Sequence, residues 1–380
     1  MRILFYLPAV TPWWFEHIVA PLVRTLAAVH EVHVLVPPLW RNTGIGPAQL
    51  GPCRDLDHVA WHIWDADDHA AIRTGTSEAL VEHVHAIAPD LSFCRSADMT
   101  APERFPGTVR YLMEGGAWPL AGAPDWLMLQ EAPFDHGCVP LLAPVEAAAL
   151  DALFAPVWAA LRGRHALAPG ARAGARASAG FGSAPVVALP LEYAHEENVF
   201  RLHGTGGTNA ELVARIAAQL PAGWTLAVTD HPLNRLYVDD AALDATVAGL
   251  WPRVRLVEDT GALAAIADGM IVENSKSFAA AAFHGLPLFR RSAFRTGDWL
   301  HALDDLDGFF AAIADGRARG AGEAEARRWF GYHLANCVID PDHAETDADL
   351  LLGHVARPCD PARWAPALAR YQAAEVPAAC

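Results

Sequence analysis

The chain has 380 residues, of which 53% are hydrophobic and 9% aromatic, and its formal net charge is -16. This length exceeds one ordinary core and predicts two domains, and the hydrophobic content excludes general disorder. The negative charge argues against nucleic acid as the main partner. No apolar run reaches the roughly 18 residues of a membrane span. Pro8 and Pro12 interrupt the apolar start, so we expect a first strand there rather than a signal peptide.

The six cysteines are scattered and form no CxxC pair; they are Cys53, Cys94, Cys138, Cys337, Cys359 and Cys380. Such spacing is typical of reduced thiols in a cytoplasmic protein. It favours neither a disulfide framework nor a zinc site.

The first half of the chain predicts an open parallel sheet. Strands are expected at residues 2–8, 31–37, 58–64, 90–95, 108–113 and 126–129. Helices are expected at residues 14–29, 77–88 and 145–161. A strand–helix–strand opening with apolar strands is typical of α/β proteins with helices on both faces of the sheet.

The second half begins the same pattern again, after an Ala-, Gly- and Arg-rich segment over residues 166–184 that we interpret as a solvated linker. Strands are expected at residues 186–191, 225–229, 254–257 and 270–272, and helices at 209–220, 241–250, 260–267 and 278–283. Thr260 is the expected N-cap of the 260–267 helix.

The predicted fold class is therefore α/β, with two doubly wound Rossmann-like domains facing each other across a cleft. The first domain is expected over residues 1–165 and the second over residues 185–330. The aromatic tail over residues 331–380 is expected to be helical. Whether the tail crosses back to the first domain is left open.

The stretch GMIVENSKSFAAAAFHGLPLF, residues 269–289, predicts a strand, a polar turn, a short helix closed by Gly285, and the next strand. We name residues 274–277 the Asn-Ser-Lys-Ser turn. Backbone N–H groups, two hydroxyls and a lysine at such a place favour a phosphate. Lys276 is also the only lysine among 28 basic residues. The alternative is a surface lysine of no particular role.

Other polar residues follow predicted strands, where ligands bind in open α/β sheets. Alternative roles are a turn residue for Glu114, a packed core residue for His231 and a solvated loop for the acidic cluster. The candidates are Glu114, Gln130, Glu131, Glu192, His195, Glu196, Glu197, Asp230 and His231.

Four of these segments together resemble the bacterial retaining β-Kdo glycosyltransferases of capsule and lipopolysaccharide synthesis, which have a GT-B fold. YLMEGG resembles the family's aromatic-x-Glu-Asn-Gly turn, and PLEYAHEEN its Pro-Leu-Gln segment with an acid four residues later. DHP resembles its His-Pro motif, and ENSKSFAAAAFHGLPL its Asn-Ser signature with downstream Ala, Gly and Pro. Residues 1–100 and the tail match only the generic fold.

The resemblance implies transfer of Kdo from CMP-Kdo to a polysaccharide or glycolipid acceptor, with retention. It implies an N-terminal domain that binds the acceptor, with Glu114 as the base, and a C-terminal domain that binds the nucleotide sugar. Glu196 would be the nucleophile of a two-step displacement. The residues implied to hold the CMP phosphate are Asn274, Ser275, Lys276, Ser277 and His231.

The chain departs from the family pattern at the Pro-Leu-Gln segment. The family's Gln is Glu192 here, and its Asp falls at Glu196, which is one methylene longer. The register is also open by one residue, which admits Glu197. Asp230, on the neighbouring predicted strand, is an alternative nucleophile.

No metal is expected, because no DxD follows a predicted strand; Asp65 and Asp67 lie in a predicted loop. Lys276 and one of Arg290, Arg291 and Arg295 would instead meet the phosphate charge. The expected partners are a nucleotide-sugar donor and an oligosaccharide or glycolipid acceptor. The sequence leaves open a larger glycan-assembly complex and peripheral attachment at the inner face of the cytoplasmic membrane.

Two alternatives to this function stay open. One is a GT-B transferase or an epimerase that uses a UDP- or GDP-sugar. The other is a non-catalytic subunit of the same fold that binds a glycan. Binding of CMP against UDP and GDP separates the first alternative, and hydrolysis of CMP-Kdo without acceptor counts against the second.

Overall fold

The computed structural model describes residues 1–8, 10, 12–36, 56, 58–63, 78–95, 100–115, 117, 120–123, 125–132, 135, 137–195, 198, 204, 206–292, 295–340 and 347–373. The chain forms two compact units. The first unit comprises Met1–Gly115, Gly122–Asp135 and Ala335–Arg363. The second comprises Gly116–Ala121, His136–Leu334 and Trp364–Cys380.

The described residues form two sheets. The strands are β1 (Arg2–Tyr6), β2 (Glu31–Val36), β3 (Val59–Ile63), β4 (Leu91–Arg95), β5 (Thr108–Glu114), β6 (Leu127–Gln130), β7 (Val186–Pro190), β8 (Thr225–Thr229), β9 (Val254–Val257), β10 (Gly269–Val272), β11 (Leu288–Arg290) and β12 (Val338–Ile339).

The sheet of the first unit has seven strands in the order β12-β6-β5-β4-β1-β2-β3. The five strands from β5 to β3 pair in parallel, whereas β6 is antiparallel to both β5 and β12. The helical segments of this unit are Pro12–Trp14, Phe15–Val19 (π), Ala20–Ala27, Glu78–Ile87, Ala101–Arg104 (3₁₀), Ala348–Ala356 and Pro361–Arg363 (3₁₀).

The sheet of the second unit has five parallel strands in the order β11-β10-β7-β8-β9. Its helical segments are Pro144–His165, Arg172–Ser178, Asn209–Gln219, Asn234–Tyr237, Ala241–Gly249, Thr260–Ile266, Phe278–His284, Asp298–Leu300 (3₁₀), Leu306–Ala314, Glu323–Tyr332 and Trp364–Ala373. A π-helical segment, His333–Cys337, spans the boundary between the units.

The two sheets share one topology, because β5-β4-β1-β2-β3 and β11-β10-β7-β8-β9 run in the same order. The order reverses between β1 and β4 in the first unit and between β7 and β10 in the second. Ligands of doubly wound folds bind at this switch point, beyond the carboxyl ends of the strands. The α/β class with two Rossmann-like sheets, predicted from the sequence, is confirmed.

Apolar strands and the buried faces of flanking helices form each core. In the first unit Ile3 and Phe5 of β1 pack with Leu22 and Leu26 of the helix Ala20–Ala27. In the second, Val187 of β7 belongs to the cluster that Phe309 and Phe310 complete. Full burial of each such side chain contributes about 1.5–3 kcal/mol. These cores hold the strand ends in place.

The division of the chain differs from the predicted domain bounds. The helix Pro144–His165 belongs to the second unit rather than to a first domain over residues 1–165. The interpretation of residues 166–184 as a solvated linker is corrected, because Arg172–Ser178 is helical and Arg176 is buried. Arg176 donates to Asp268 at 2.9 Å and to the carbonyl of Ala184. This ion pair ties the segment to the second unit.

Two local expectations are also corrected. Strand β6 runs antiparallel to β5, so Gln130 lies beside Tyr111 and not beside Glu114. Glu131 follows Gln130 and forms an ion pair with Arg110 at 3.3 Å. The N-cap of the helix Thr260–Ile266 is Asp259, which accepts from two backbone N–H groups, rather than Thr260.

Pro144–His165, with 22 residues, is the one described helix long and apolar enough to cross a membrane. It buries Leu150, Phe154, Val157, Trp158 and Leu161. The Trp158 indole donates to Glu323 at 3.2 Å. These five side chains pack the helix against the second unit.

Candidate functional site

Polar side chains follow three neighbouring strands of the second sheet. Glu192 comes two residues after β7, Asp230 and His231 follow β8, and the Asn-Ser-Lys-Ser turn follows β10 after Glu273. Strand β7 lies between β8 and β10 and pairs with both in parallel. The three groups therefore share one edge of the sheet, at its switch point.

Glu192 and Asn274 join the ends of β7 and β10. The backbone N–H of Asn274 donates to Glu192 Oε1 at 2.5 Å, and its side-chain amide donates to Oε2 at 3.5 Å. The Ser292 hydroxyl donates to Asn274 Oδ1 at 2.5 Å. Asn274 is 5% exposed, so its amide positions the turn and does not face solvent.

Asn234 joins the ends of β7 and β8. This fully buried side chain donates to Asp230 Oδ1 at 2.7 Å and to the Glu192 carbonyl at 3.1 Å, and it accepts from the Ala194 N–H at 2.7 Å. Asn209 donates to the same Glu192 carbonyl at 3.1 Å. Sequence reasoning missed both asparagines. The only sequence signal was the position of each residue: Asn234 directly follows Pro-Leu in HPLN, and Asn209 directly follows the helix N-cap Thr208.

Asp230 has a hydrogen bond at one carboxylate oxygen and only an ion-pair contact at the other. Oδ1 accepts from Asn234, and Oδ2 lies 2.8 Å from Nε of Arg235. The side chain is 8% exposed. Burial, followed by the negative charge of Asp230, raises the pKa of the nearby Asp240 carboxyl. Asp230 therefore stabilises the strand end through an ion pair and an amide.

Tyr193 lies between two histidines at this edge. Its ring centroid is 5.5 Å from that of His195 and 5.6 Å from that of His231. His231 Nδ1 accepts from the Leu233 N–H at 3.3 Å. This contact places the proton of the neutral ring on Nε2.

The Asn-Ser-Lys-Ser turn offers two hydroxyls and an ammonium group. The Ser275 hydroxyl donates to the Ser277 hydroxyl at 2.9 Å and accepts from the Ser277 N–H at 3.1 Å. Lys276 is half-buried. Burial, followed by the charge of Lys276, lowers the pKa of His333 to about 3. The seven-residue helix that follows ends at Gly285, whose φ is 65°.

Burial is the main cause of the pKa shifts of Glu192 and Arg290 at the switch point. Burial raises the pKa of Glu192; the Asn274 N–H opposes this rise, the charge of Glu273 adds to it, and that of Arg290 reduces it. Burial also lowers the pKa of Arg290 to about 10, and the charge of Glu192 opposes that shift. Arg290 thus stays cationic at neutral pH.

Glu114 ends β5 of the first unit, beside an arginine that sequence reasoning missed. Arg95, the last residue of β4, donates to Glu114 Oε1 at 2.7 Å and to the Leu112 carbonyl at 3.4 Å. Its guanidinium lies 3.8 Å from the centroid of the Trp14 ring. Burial lowers the pKa of Arg95, and the Glu114 charge partly restores it. Glu114 is therefore paired with a buried guanidinium.

The structure brings Asp230, His231 and the Asn-Ser-Lys-Ser turn to one edge with Glu192, whereas Glu114 belongs to the other unit. Glu196 and Glu197 lie outside the described residues. Within the part of the chain that the structure describes, no group of three or more His, Cys, Asp or Glu side chains is arranged to hold a metal ion.

No protein-family model and no curated protein matches the chain. Among solved structures, Anabaena Alr3699/HepE in complex with UDP and glucose is similar, with 12% identity and a TM-score of 0.39 over 87% of this chain and 95% of that one. KpsC of Thermosulfurimonas dismutans, a beta Kdo 2,7 transferase, has 13% identity and a TM-score of 0.41 over 71% of this chain and 91% of that one. WaaG, a glycosyltransferase involved in lipopolysaccharide biosynthesis, has 13% identity and a TM-score of 0.35 over 88% and 95%. At these identities and TM-scores the similarity assigns no function to this chain.

Proposed function

We propose that the protein is a glycosyltransferase whose nucleotide-sugar donor binds at the carboxyl edge of the second sheet. One observation carries this proposal. The switch point between β7 and β10 is occupied by the Glu192–Asn274 bridge, and the turn beside it offers Ser275, Lys276 and Ser277. A cation flanked by hydroxyls at such an edge suits a phosphate.

More specifically, we propose that the donor is CMP-Kdo and that transfer retains the β configuration. The four-segment resemblance to the β-Kdo transferases supports this donor. Lys276 and the two serine hydroxyls would bind the CMP phosphate, and His231 would face it across the edge. Asn274 would hold the turn in shape through Glu192 and Ser292, rather than contact the phosphate through its amide.

Retention requires two displacements at one carbon. In the first step, a carboxylate oxygen of Glu196 forms a bond to the anomeric carbon while the bond to the CMP phosphate oxygen breaks. In the second, Glu114 takes the proton of the acceptor hydroxyl, and the hydroxyl oxygen displaces the carboxylate. Asp230 is the rival nucleophile. It would first have to release the hydrogen bond from Asn234 or the ion pair with Arg235.

The remaining expectations belong to the same proposal. Phosphate charge would be met by Lys276 and arginine without a metal. The acceptor would be an oligosaccharide or a glycolipid, and the reaction would take place in the cytoplasm, at the inner face of the membrane where the acceptor is lipid-linked. A larger glycan-assembly complex would supply that acceptor.

Calorimetric titration with CMP, UDP and GDP tests the nucleotide. We expect CMP to bind the protein, and Lys276→Met to weaken CMP at least about tenfold, since a charge-assisted bond to phosphate contributes about 1.5–3 kcal/mol. Arg328→Met, at an exposed arginine of the same unit, should bind as the parent does. Preference for UDP or GDP would replace CMP-Kdo with another nucleotide sugar or with an epimerase reaction.

Intact-protein mass after incubation with CMP-Kdo tests the mechanism. An added mass of one Kdo that is absent in Glu196→Ala would identify both the donor and the nucleophile. Persistence of the adduct in that variant would move the assignment to Glu197 or Asp230, tested with Glu197→Ala and Asp230→Asn. A protein that binds glycans but neither binds CMP nor hydrolyses CMP-Kdo would instead be a non-catalytic subunit.

A further inference from the structure

The structure separates the three arginines at and after strand β11. Arg291 and Arg295 are exposed. Arg290 ends strand β11 and is 6% exposed. Of the three, only Arg290 is enclosed at the edge of the sheet where the candidate site lies.

Arg290 lies beside the end of β10 and contacts the helix that follows the turn. Arg290 pairs with Val272, the last residue of β10. Its guanidinium lies 4.8 Å from the ring centroid of Phe278, which begins the helix after the turn. Its charge interacts with that of Glu192, which follows β7. Strands β11 and β7 flank β10 on opposite sides. The guanidinium therefore lies near the end of β10, against the Phe278 ring and within electrostatic reach of Glu192.

None of the three guanidinium nitrogens of Arg290 has a hydrogen-bond partner among the described residues. The Phe278 ring covers a face of the guanidinium, whereas the five N–H donors point outward in its plane. A ring that covers the face of the guanidinium cannot accept hydrogen bonds from these in-plane donors. Buried arginines in proteins are normally hydrogen-bonded, and an unsatisfied buried charge is costly.

Glu192 does not fill this role. Its two carboxylate oxygens accept from the backbone and side chain of Asn274, and no hydrogen bond joins it to Arg290. Glu273 adds a second carboxylate beside it. The chain thus retains an enclosed cation with an incomplete partner at the place where a donor would bind.

We propose that Arg290 binds an oxyanion of the donor substrate through its planar N–H fork, and this inference rests on the proposed function. The ligand class is a carboxylate of the sugar or a phosphate of the nucleotide, since both present paired oxygens that a guanidinium binds in a bidentate manner. Lys276 of the Asn-Ser-Lys-Ser turn offers only a point charge. The oxyanion would replace Glu192 as the counter-charge of Arg290.

Three probes distinguish the two sources of oxyanion: CMP carries only the phosphate, free Kdo only the carboxylate, and CMP-Kdo both. Calorimetric titration compares the parent with Arg290→Met, which removes the charge, and Arg290→Lys, which keeps the charge but not the fork. We expect a loss of at least about tenfold for Arg290→Met with the probe whose oxyanion it binds, and a smaller loss for Arg290→Lys. Arg328→Met is the matched control and should change no affinity.

A second readout needs no ligand. Because Arg290 is enclosed and unsatisfied, Arg290→Met should raise the melting temperature of the free protein by about 2–4 °C, as residues kept for binding often cost stability. Arg290→Lys should not raise it. A saturating probe should raise the melting temperature of Arg290→Met by less than it raises that of the parent.

Glu192→Gln tests the exchange of counter-charges. The amide oxygen of Gln can still accept from the Asn274 N–H, but the negative charge that competes for Arg290 is removed. We expect the affinity for the favoured probe to rise about threefold to tenfold in Glu192→Gln, and this gain to vanish in the double variant with Arg290→Met.

Binding of all three probes by Arg290→Lys and Arg290→Met within twofold of the parent would overturn the proposal. If Arg290→Met fails to fold, unchanged affinity of Arg290→Lys for all three probes is enough to overturn the proposal. Loss with CMP assigns the phosphate, and loss with Kdo assigns the carboxylate.

The parent binding no probe would instead refute the proposed CMP-Kdo function. The anion site would then be judged by thermal shift with inorganic phosphate and acetate. Stabilisation of the parent but not of Arg290→Lys would retain the site without the function. Equal responses of the two proteins would remove both.

Discussion

Two arginines at corresponding edges of the two sheets have opposite surroundings. Arg95 and Glu114 end neighbouring strands of the first sheet and lie 2.7 Å apart. In the second sheet β11 holds the position of β5, and it ends in Arg290 where β5 ends in Glu114. The neighbouring strand β10 ends in Val272, which offers no charge. Each guanidinium also faces an aromatic ring, Trp14 or Phe278.

The comparison shows that topology alone does not decide what a strand end does. In the first unit the cation and the acid complete each other, so the arginine orients Glu114 and needs no ligand. In the second unit the aromatic contact is kept while the acid on the adjacent strand is absent. We infer that the first edge is built around a fixed ion pair and the second around an incomplete one.

Breaking the Arg95–Glu114 ion pair should have the largest effect on stability. Glu114→Gln leaves the Arg95 cation uncompensated in a site where it is 9% exposed, so we expect the free energy of unfolding to fall by about 3 kcal/mol. Urea unfolding measures this. The matched control is Glu131→Gln, whose ion pair with Arg110 is 65% exposed on the acid side and should contribute less than about 1 kcal/mol. Equal losses in the two variants would show that the Arg95–Glu114 pair is not special.

Acid should weaken the second unit through His333, which stacks on Trp329 with ring centroids 4.9 Å apart. Its pKa is about 3 in the folded protein and about 6.5 in the unfolded chain. Between these values the unfolded chain binds the extra proton, so stability is lost as pH falls below 6.5. The loss at pH 5 is about 2 kcal/mol.

Urea unfolding of the parent and of His333→Gln at pH 7.5 and pH 5 isolates this histidine, because the variant lacks the titrating group. The first unit offers a milder counterpart in His62. Burial, followed by the charges of His33 and His83, lowers the pKa of His62, so its contribution has the same sign. An unchanged pH dependence in His333→Gln would contradict the assignment.

Removing the Asn234 amide should destabilise the carboxyl edge of the second sheet. Asn234→Ala leaves the Glu192 carbonyl, the Ala194 N–H and Asp230 without this partner, at a cost of about 2 kcal/mol. We also expect weaker CMP binding, because the loop after β7 is no longer held against β8. Gln219→Ala removes an exposed amide of the same unit and should change neither stability nor binding. Parent-like CMP affinity in Asn234→Ala would show that the two strand ends are independent.

Sequence reasoning succeeded where local signals mark both ends of an element. The predicted bounds of β8 and β9 match those observed, since Pro232 and Asp259 lie just beyond apolar runs. Gly285 likewise ends the helix that begins at Phe278, through its left-handed φ. Because these strand ends are marked locally, the amino-acid sequence is enough to predict that the residues after β7, β8 and β10 share one edge of the sheet.

What sequence reasoning missed depends on contacts between distant residues. The apolar run over residues 126–129 predicts a strand but not its direction, so Gln130 was expected at the same edge as Glu114. Arg95 and Arg290 each end an apolar strand, and nothing local tells the paired one from the unpaired one. The amide of Asn234 acts across 42 residues on Glu192. Such roles follow from packing rather than from spacing.

The late position of β12 in the chain affects the order in which the two sheets are completed during synthesis. The last strand of the first sheet, β12, comes after the whole second sheet along the chain, and Leu351 of the next helix completes the first core. A ribosome therefore releases every strand of the second sheet before the first sheet can close. Until β12 emerges, β6 keeps a bare edge, and the helix Trp364–Ala373 that completes the second unit emerges later still. A recombinant fragment that stops at residue 135 would keep that edge bare permanently.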